Sequence, residues 1–216
     1  ETDAGVISYQ DAAASQGVTT TYVVSAVDNT ANESGYSNSV SGVCSSEGPV
    51  ITVIEPQDNF ITNQARFTVR GTVSDASPIS YVKVNNQDVS TNDNFNTWTK
   101  EIALTEGDNT ITVIAQDEFG NQAQIKIQGK LDTTPPVTTS SHESGIYNKA
   151  LDVTLTSSES DALVYYTLDG SMPDITNEAV RYATGSARIS EIDTSITIKY
   201  RSIDLAGNQE DVQTLE

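Results

Sequence analysis

Carboxylates dominate the reactive side chains of this sequence. Thirty Asp and Glu stand against eleven Lys and Arg, with one histidine, His142, and one cysteine, Cys44. Acids in that number could do three kinds of chemistry. A pair could cleave a glycosidic bond, one could complete a Ser-His-Asp arrangement, and several could ligate calcium, which prefers carboxylate and carbonyl oxygens. Each chemistry needs a positioning signal. His142 stands in "TSSHES", away from any strained G-x-S-x-G turn, so an exposed and inert ring is expected. With thirty carboxylates, closeness of two would not identify a hydrolase, and no catalytic residue is assigned. Calcium has the better case: Glu47 and Asp132 lie in proline-containing stretches, with Asp75 and Asp117 as further ligands. No D-x-[DN]-x-[DN]-G loop supports it, and the competing reading has these acids cap turns or face solvent. Apart from calcium, no cofactor is expected. A lone cysteine excludes an internal disulfide and a CxxC metal site. Cys44 then either fills a strand end or pairs with a cysteine upstream.

The elements that must position these acids announce themselves by repetition. "AVDNTANES", "AQDEFGNQA" and "SIDLAGNQE" place Asp28, Asp117 and Asp204 at intervals of 89 and 87 residues. Constant spacing of that length marks an array of β-sandwiches of roughly 100 residues each. Tyr22, Val24 and Ala26 precede the first Asp on alternate positions, as do Ile111, Val113 and Ala115, then Ile198, Tyr200 and Ser202. Such alternation is one buried face of a strand. The phrase itself reads as a hairpin turn, its Asp side chain accepting backbone N–H groups further along. Asp28 and Asn32, Asp117, Gly120 and Asn121, and Asp204, Gly207 and Asn208 are thereby given structural roles. Glycine supplies positive φ in two copies, whereas Ala31 stands there in the first. That turn is expected to differ, or Asn29 or Asn32 to take the left-handed position.

Proline-containing stretches, "SSEGP" and "DTTPP", divide the chain into residues 1–46, 47–131 and 132–216. The fold class is all-β, a tandem of immunoglobulin-like sandwiches, the first incomplete. That first unit is expected to hold the last three strands of its sandwich, with earlier ones upstream. In the middle unit, Phe67, Val69 and Val73 alternate, Asn85-Asn86 makes a turn, and Phe95, Trp98, Ile102 and Leu104 share a strand. Trp98 is read as core. Tyr165 and Tyr166 are adjacent, so one must leave the core face and could present a ring to a glycan.

A net charge of −19 repels phosphate backbones, so nucleic acid is excluded as a partner. No run of about 18 apolar residues exists to insert into a membrane. "TTYVVSAVDNTANESGYSNSV" (Thr20–Val40) resembles the end of a bacterial fibronectin type III domain. "LTEGDNTITVIAQDEFGN" (Leu104–Asn121) is similar to modules related to the B domain of glucodextranase. "VYYTLDGSMPD" (Val164–Asp174), followed by "YRSIDLAGN", resembles the C-terminal domain of chitobiase and β-hexosaminidase. These resemblances imply accessory sandwiches of exported, modular bacterial proteins. The expected function is a non-catalytic spacer at the cell surface or in the medium, its partners neighbouring domains, a polysaccharide or a surface protein. The alternative is a polysaccharide-binding accessory to an enzyme.

Overall fold

The computed structural model describes residues 9–15 and 17–216. Among them no helix forms, and seventeen strands follow the alternation of the sequence. The chain divides into two compact units. One comprises the described residues up to Pro56, Thr68–Lys100 and Ile111–Lys126; the other comprises Gln57–Phe67, Glu101–Thr110 and Ile127–Glu216.

Strands β1 (Thr19–Tyr22) and β2 (Val40–Val43) pair antiparallel as a sheet of their own. The expected third strand is absent among the described residues. Beyond Tyr22 the carbonyls of Val24 and Ala26 still accept backbone N–H groups, from Ser37 and Ser34 (2.8 Å each). Their own N–H groups go to serine hydroxyls, Val24 N donating to Ser37 Oγ (3.0 Å) and Ala26 N to Ser34 Oγ (2.8 Å). Side chains that offer the backbone such partners compete with a regular ladder.

The middle stretch holds β3 (Val50–Glu55), β4 (Phe60–Thr62), β5 (Arg66–Ser74), β6 (Ile79–Val84), β7 (Gln87–Asp88), β8 (Thr97–Ala103), β9 (Gly107–Asp117) and β10 (Gln122–Leu131). They form two sheets, ordered β3–β5–β8 and β4–β10–β9–β6–β7. Val69, Val73, Trp98, Ile102, Ile111, Val113 and Ala115 are all buried, each on the inward side of its strand. Full burial of such an aliphatic side chain contributes about 2 kcal/mol. Asn85 and Asn86 both take positive φ (49° and 63°), the mirror-image turn that suits a two-residue hairpin between β6 and β7. Gly71 lets the indole of Trp98 lie flat on β5, because a Cβ there would sit 2.5 Å from Trp98 Cζ2 and 2.3 Å from the Thr52 carbonyl oxygen. Phe95 departs from the expected strand. It has a φ of 69° in a turn where Thr91 Oγ1 accepts its N–H (2.9 Å) and Asp93 Oδ1 accepts that of Thr97 (2.9 Å), so β8 starts two residues later.

The last stretch holds β11 (Thr138–Ser140), β12 (Leu151–Ser157), β13 (Leu163–Thr167), β14 (Arg181–Thr184), β15 (Ser186–Ile192), β16 (Ile198–Ile203) and β17 (Gln213–Leu215), again in two sheets, β11–β12–β15 and β14–β13–β16–β17. Their core is Val153, Leu155, Val164, Ala187, Ile189, Ile198 and Tyr200. The carboxylate of Glu210 ties the two sheets together, accepting from Ser202 N (2.6 Å) in β16 and Thr138 N (2.8 Å) in β11. Paired sheets with one buried face each make these immunoglobulin-like β-sandwiches.

Candidate functional site

The three aspartate phrases fold alike. In each, an Asp Oδ1 accepts the backbone N–H of the Asn four residues on: Asn32 at 2.9 Å, Asn121 at 2.8 Å and Asn208 at 2.8 Å. The Asn carboxamide then donates to the second carboxylate oxygen at 2.8, 2.9 and 2.8 Å respectively. All four oxygen and amide positions are thus used within a five-residue loop. Each acid thereby closes a backbone turn. The residue before the Asn has positive φ in every copy: 67° at Ala31, 90° at Gly120 and 91° at Gly207. The first turn therefore does not differ and neither neighbouring asparagine takes over. Ala31 itself adopts the left-handed conformation, because five bonds to Asp28 and Thr30 hold the loop closed around it.

The bonds of Asn32 and Thr30 hold the Asp28 carboxyl well below the usual carboxylate range. At Asp117, burial pushes the pKa up, but donation from Asn121, Ser45 and Phe119 outweighs it and the result is lowered.

The asparagines also do something that their place in a turn did not foretell. Asn121 Nδ2 donates to the backbone oxygen of Ser45 at 3.2 Å, and Asn208 Nδ2 to that of Asp132 at 2.7 Å. Both span 76 residues, so each phrase grips the chain where it enters its own sandwich. The only sequence signal was that "SSEGP" and "DTTPP" hold one register to the phrases that follow. At the second entry, Glu106 adds a grip from the preceding sandwich, accepting Thr133 Oγ1 (2.8 Å) and Thr133 N (3.2 Å).

The calcium candidates are spread between these entries. Glu47 is exposed. Asp75 accepts Ser77 N (2.7 Å), and Ser77 Oγ reaches Ser45 Oγ (2.9 Å), which in turn donates to Asp117 Oδ2 (3.2 Å), so hydroxyls occupy the ground between these two acids. Asp132 joins a different set. With Glu159 and Asp204 it offers three carboxylate oxygens within 4.8 Å of one another. Such a set could hold a hard divalent cation. Lys130 already faces it, with Nζ 2.9 Å from Asp132 Oδ2, and that contact lowers the Asp132 pKa. Burial, then the charges of Asp204 and Asp132, push Glu159 up.

His142 is half-buried beside Tyr147, ring centroids 5.7 Å apart, with Nδ1 2.9 Å from Ser141 Oγ. That hydroxyl also accepts Thr154 N, a structural bond within the sheet. Cys44 is free and half-buried. The outward tyrosine of the adjacent pair is Tyr165, yet it is only 8% exposed, while Tyr166 packs on the core. Neither presents an open ring. Tyr182 lies against Tyr165 on the same face and is 68% exposed. A cleft of about 1270 Å³ opens at one end of the last sandwich, lined by Tyr147, Leu151, Leu168, Ile196 and Leu215.

Residues 49–132 match the family described as glucodextranase, domain B, and residues 142–214 match the chitobiase/β-hexosaminidase C-terminal domain. Two of the three resemblances read from the sequence, those to the glucodextranase B domain and to the chitobiase C-terminal domain, are found again in these matches. No curated protein matches the chain. Among solved structures, fibronectin(III)-like modules of Clostridium thermocellum CbhA share 16% identity, covering 77% of this chain and 92% of theirs, with a TM-score of 0.46. The N-terminal eight immunoglobulin domains of Down syndrome cell adhesion molecule share 15%, covering 91% and 35%, with a TM-score of 0.46. A tetra-tandem repeat from the extending region of a large adhesion protein shares 20%, covering 92% and 56%, with a TM-score of 0.34.

Proposed function

We propose that this chain is a non-catalytic positioning segment of an exported, modular bacterial protein, in which successive sandwiches hold catalytic or adhesive domains at a set spacing. The observation that carries this reading is the repeated grip on the entering chain. A spacer transmits position only where its joints resist bending, and a joint resists bending where its backbone is bonded to folded structure. Asn208 holds Asp132 and Glu106 holds Thr133, so consecutive linker residues are fastened from opposite sides. Asp28, Asp117 and Asp204, the acids that the repeat singles out, are bonded into those turns. Amide relaxation of residues 132–134 tests the idea. Order parameters near 0.85, falling below about 0.6 in a Glu106→Ala, Asn208→Ala double variant, are expected. Low values already in the unaltered chain would sink it.

A second reading is favoured by the matched descriptions, which name domains of glucodextranase and of chitobiase/β-hexosaminidase. On it, the segment also binds polysaccharide on behalf of an enzyme elsewhere in its parent chain. The two readings are compatible, since a spacer surface can carry a ligand site. The described residues contain no helix long and apolar enough to cross a membrane.

A further inference from the structure

The outer face of the last sandwich carries a row of three side chains on neighbouring strands. Tyr182, Tyr165 and Arg201 stand directly opposite one another on β14, β13 and β16. Residues so paired project from the same face, and with strands about 4.8 Å apart the row runs roughly 10 Å across the sheet. Tyr165 is the covered centre. The Tyr182 ring rests on it, centroids 5.8 Å apart and planes tilted by 39°, which fixes Tyr182 while leaving it largely open to solvent. At the far end, Arg201 Nε donates to the Pro173 carbonyl (3.2 Å), and Arg201 Nη2 lies 3.7 Å from Asp174 Oδ2. Asp174 is itself held, with Oδ1 accepting Thr176 N at 3.0 Å and Thr176 Oγ1 at 3.1 Å. A supported ring therefore stands beside an oriented carboxylate and guanidinium.

We propose that this row is a binding site for a neutral polysaccharide, with a pyranose ring stacked on Tyr182 and neighbouring hydroxyls bonded to Asp174 and Arg201. A pyranose has one face of C–H groups and a rim of hydroxyls. The first suits the apolar body of a tyrosine, and the second suits a carboxylate acceptor and a forked donor. Neutral sugars are favoured because a chain of net charge −19 repels acidic ones. A protein partner fits less well, since the row offers one open ring, with Tyr165 covered and Arg201 charged, and not the wide apolar patch that forms the core of such an interface. The proposal rests on the second functional reading and gives it a location.

Affinity electrophoresis of the 216-residue chain in dextran and soluble starch, with pull-down on chitin and cellulose, provides the test. Retardation or capture by at least one of these is expected. Tyr182→Ala should weaken it by about tenfold or more, as removing a central aromatic anchor does, while Tyr182→Phe should stay within about threefold. Tyr147→Ala, at the cleft, should leave it unchanged. Melting curves of each variant report whether the fold is kept. No binding to any of the four would end both this proposal and the reading beneath it. Binding that survives Tyr182→Ala, or is lost with Tyr147→Ala, would overturn the location alone. Self-association that disappears in Tyr182→Ala would make the row a protein contact and overturn the proposal.

Discussion

Alanine 31 has a φ of 67° where the equivalent positions use glycine at 90° and 91°. A side chain in the left-handed region costs about 1–2 kcal/mol relative to glycine. Ala31→Gly should therefore raise the stability of its turn by about 0.5–1 kcal/mol, after glycine's extra freedom in the unfolded chain is subtracted. Gly120→Ala should lower stability by about 1–2 kcal/mol. The nearest atom to the added Cβ is Gln116 Nε2 at 3.4 Å, so the loss comes from the backbone and not from a clash. Thermal melting of both variants checks the pair, and equal effects of the same sign would refute the reasoning. Glu159 gives a prediction of a different kind. Its carboxyl holds a proton more tightly in the folded chain than its ordinary 4.5. A raised acid favours folding below that value and loses the benefit as pH rises through the folded pKa. Glu159→Gln should thus raise the melting temperature at pH 7 and leave it nearly unchanged at pH 4. For Asp117 and Asp132 the sign is opposite, because their lowered pKa values mean stability is lost as pH falls through and below 3.8.

At the scale of elements, alternation located β5, β9 and β16, and the hairpin turns followed from Asn85-Asn86 and the aspartate phrases. Two kinds of departure have local causes. Phe95 and Val24 lost their places in strands to threonine, aspartate and serine side chains that bond the backbone nearby. Those contacts depend on rotamers and on the path of the chain, which hydrophobic pattern does not encode. Trp98 was legible as core, but its need for a bare backbone at Gly71 was not. A Cβ at that position meets backbone on one side and indole on the other. Gly71→Ala should cost about 1–3 kcal/mol by overpacking. Chemical denaturation with Trp98 fluorescence as the probe measures it, and a loss no larger than that of an exposed Gly→Ala change would contradict the contact.

Over the whole molecule, the three repeats are unequal in what covers them. Tyr22 and Val24 are 36% and 70% exposed, whereas Ile111 and Val113, six and four residues before their own aspartate, are each 0% exposed. Removing residues 1–46 should leave a cooperative melt and reduce binding of a hydrophobic dye such as ANS. Loss of the melt would mean that the first repeat is needed for the others to fold. The all-strand class and the shared turn at Asp28, Asp117 and Asp204 were readable from periodicity, since a turn needs only neighbours along the chain. The grip of Asn121 and Asn208 on residues 76 positions earlier, the gathering of Glu159 and Asp204 around Asp132, and the exchange of Tyr165 for Tyr182 as the open ring were decided by tertiary structure. Each depends on which distant segments the sandwich brings side by side, and a one-dimensional pattern carries face and spacing but not that adjacency.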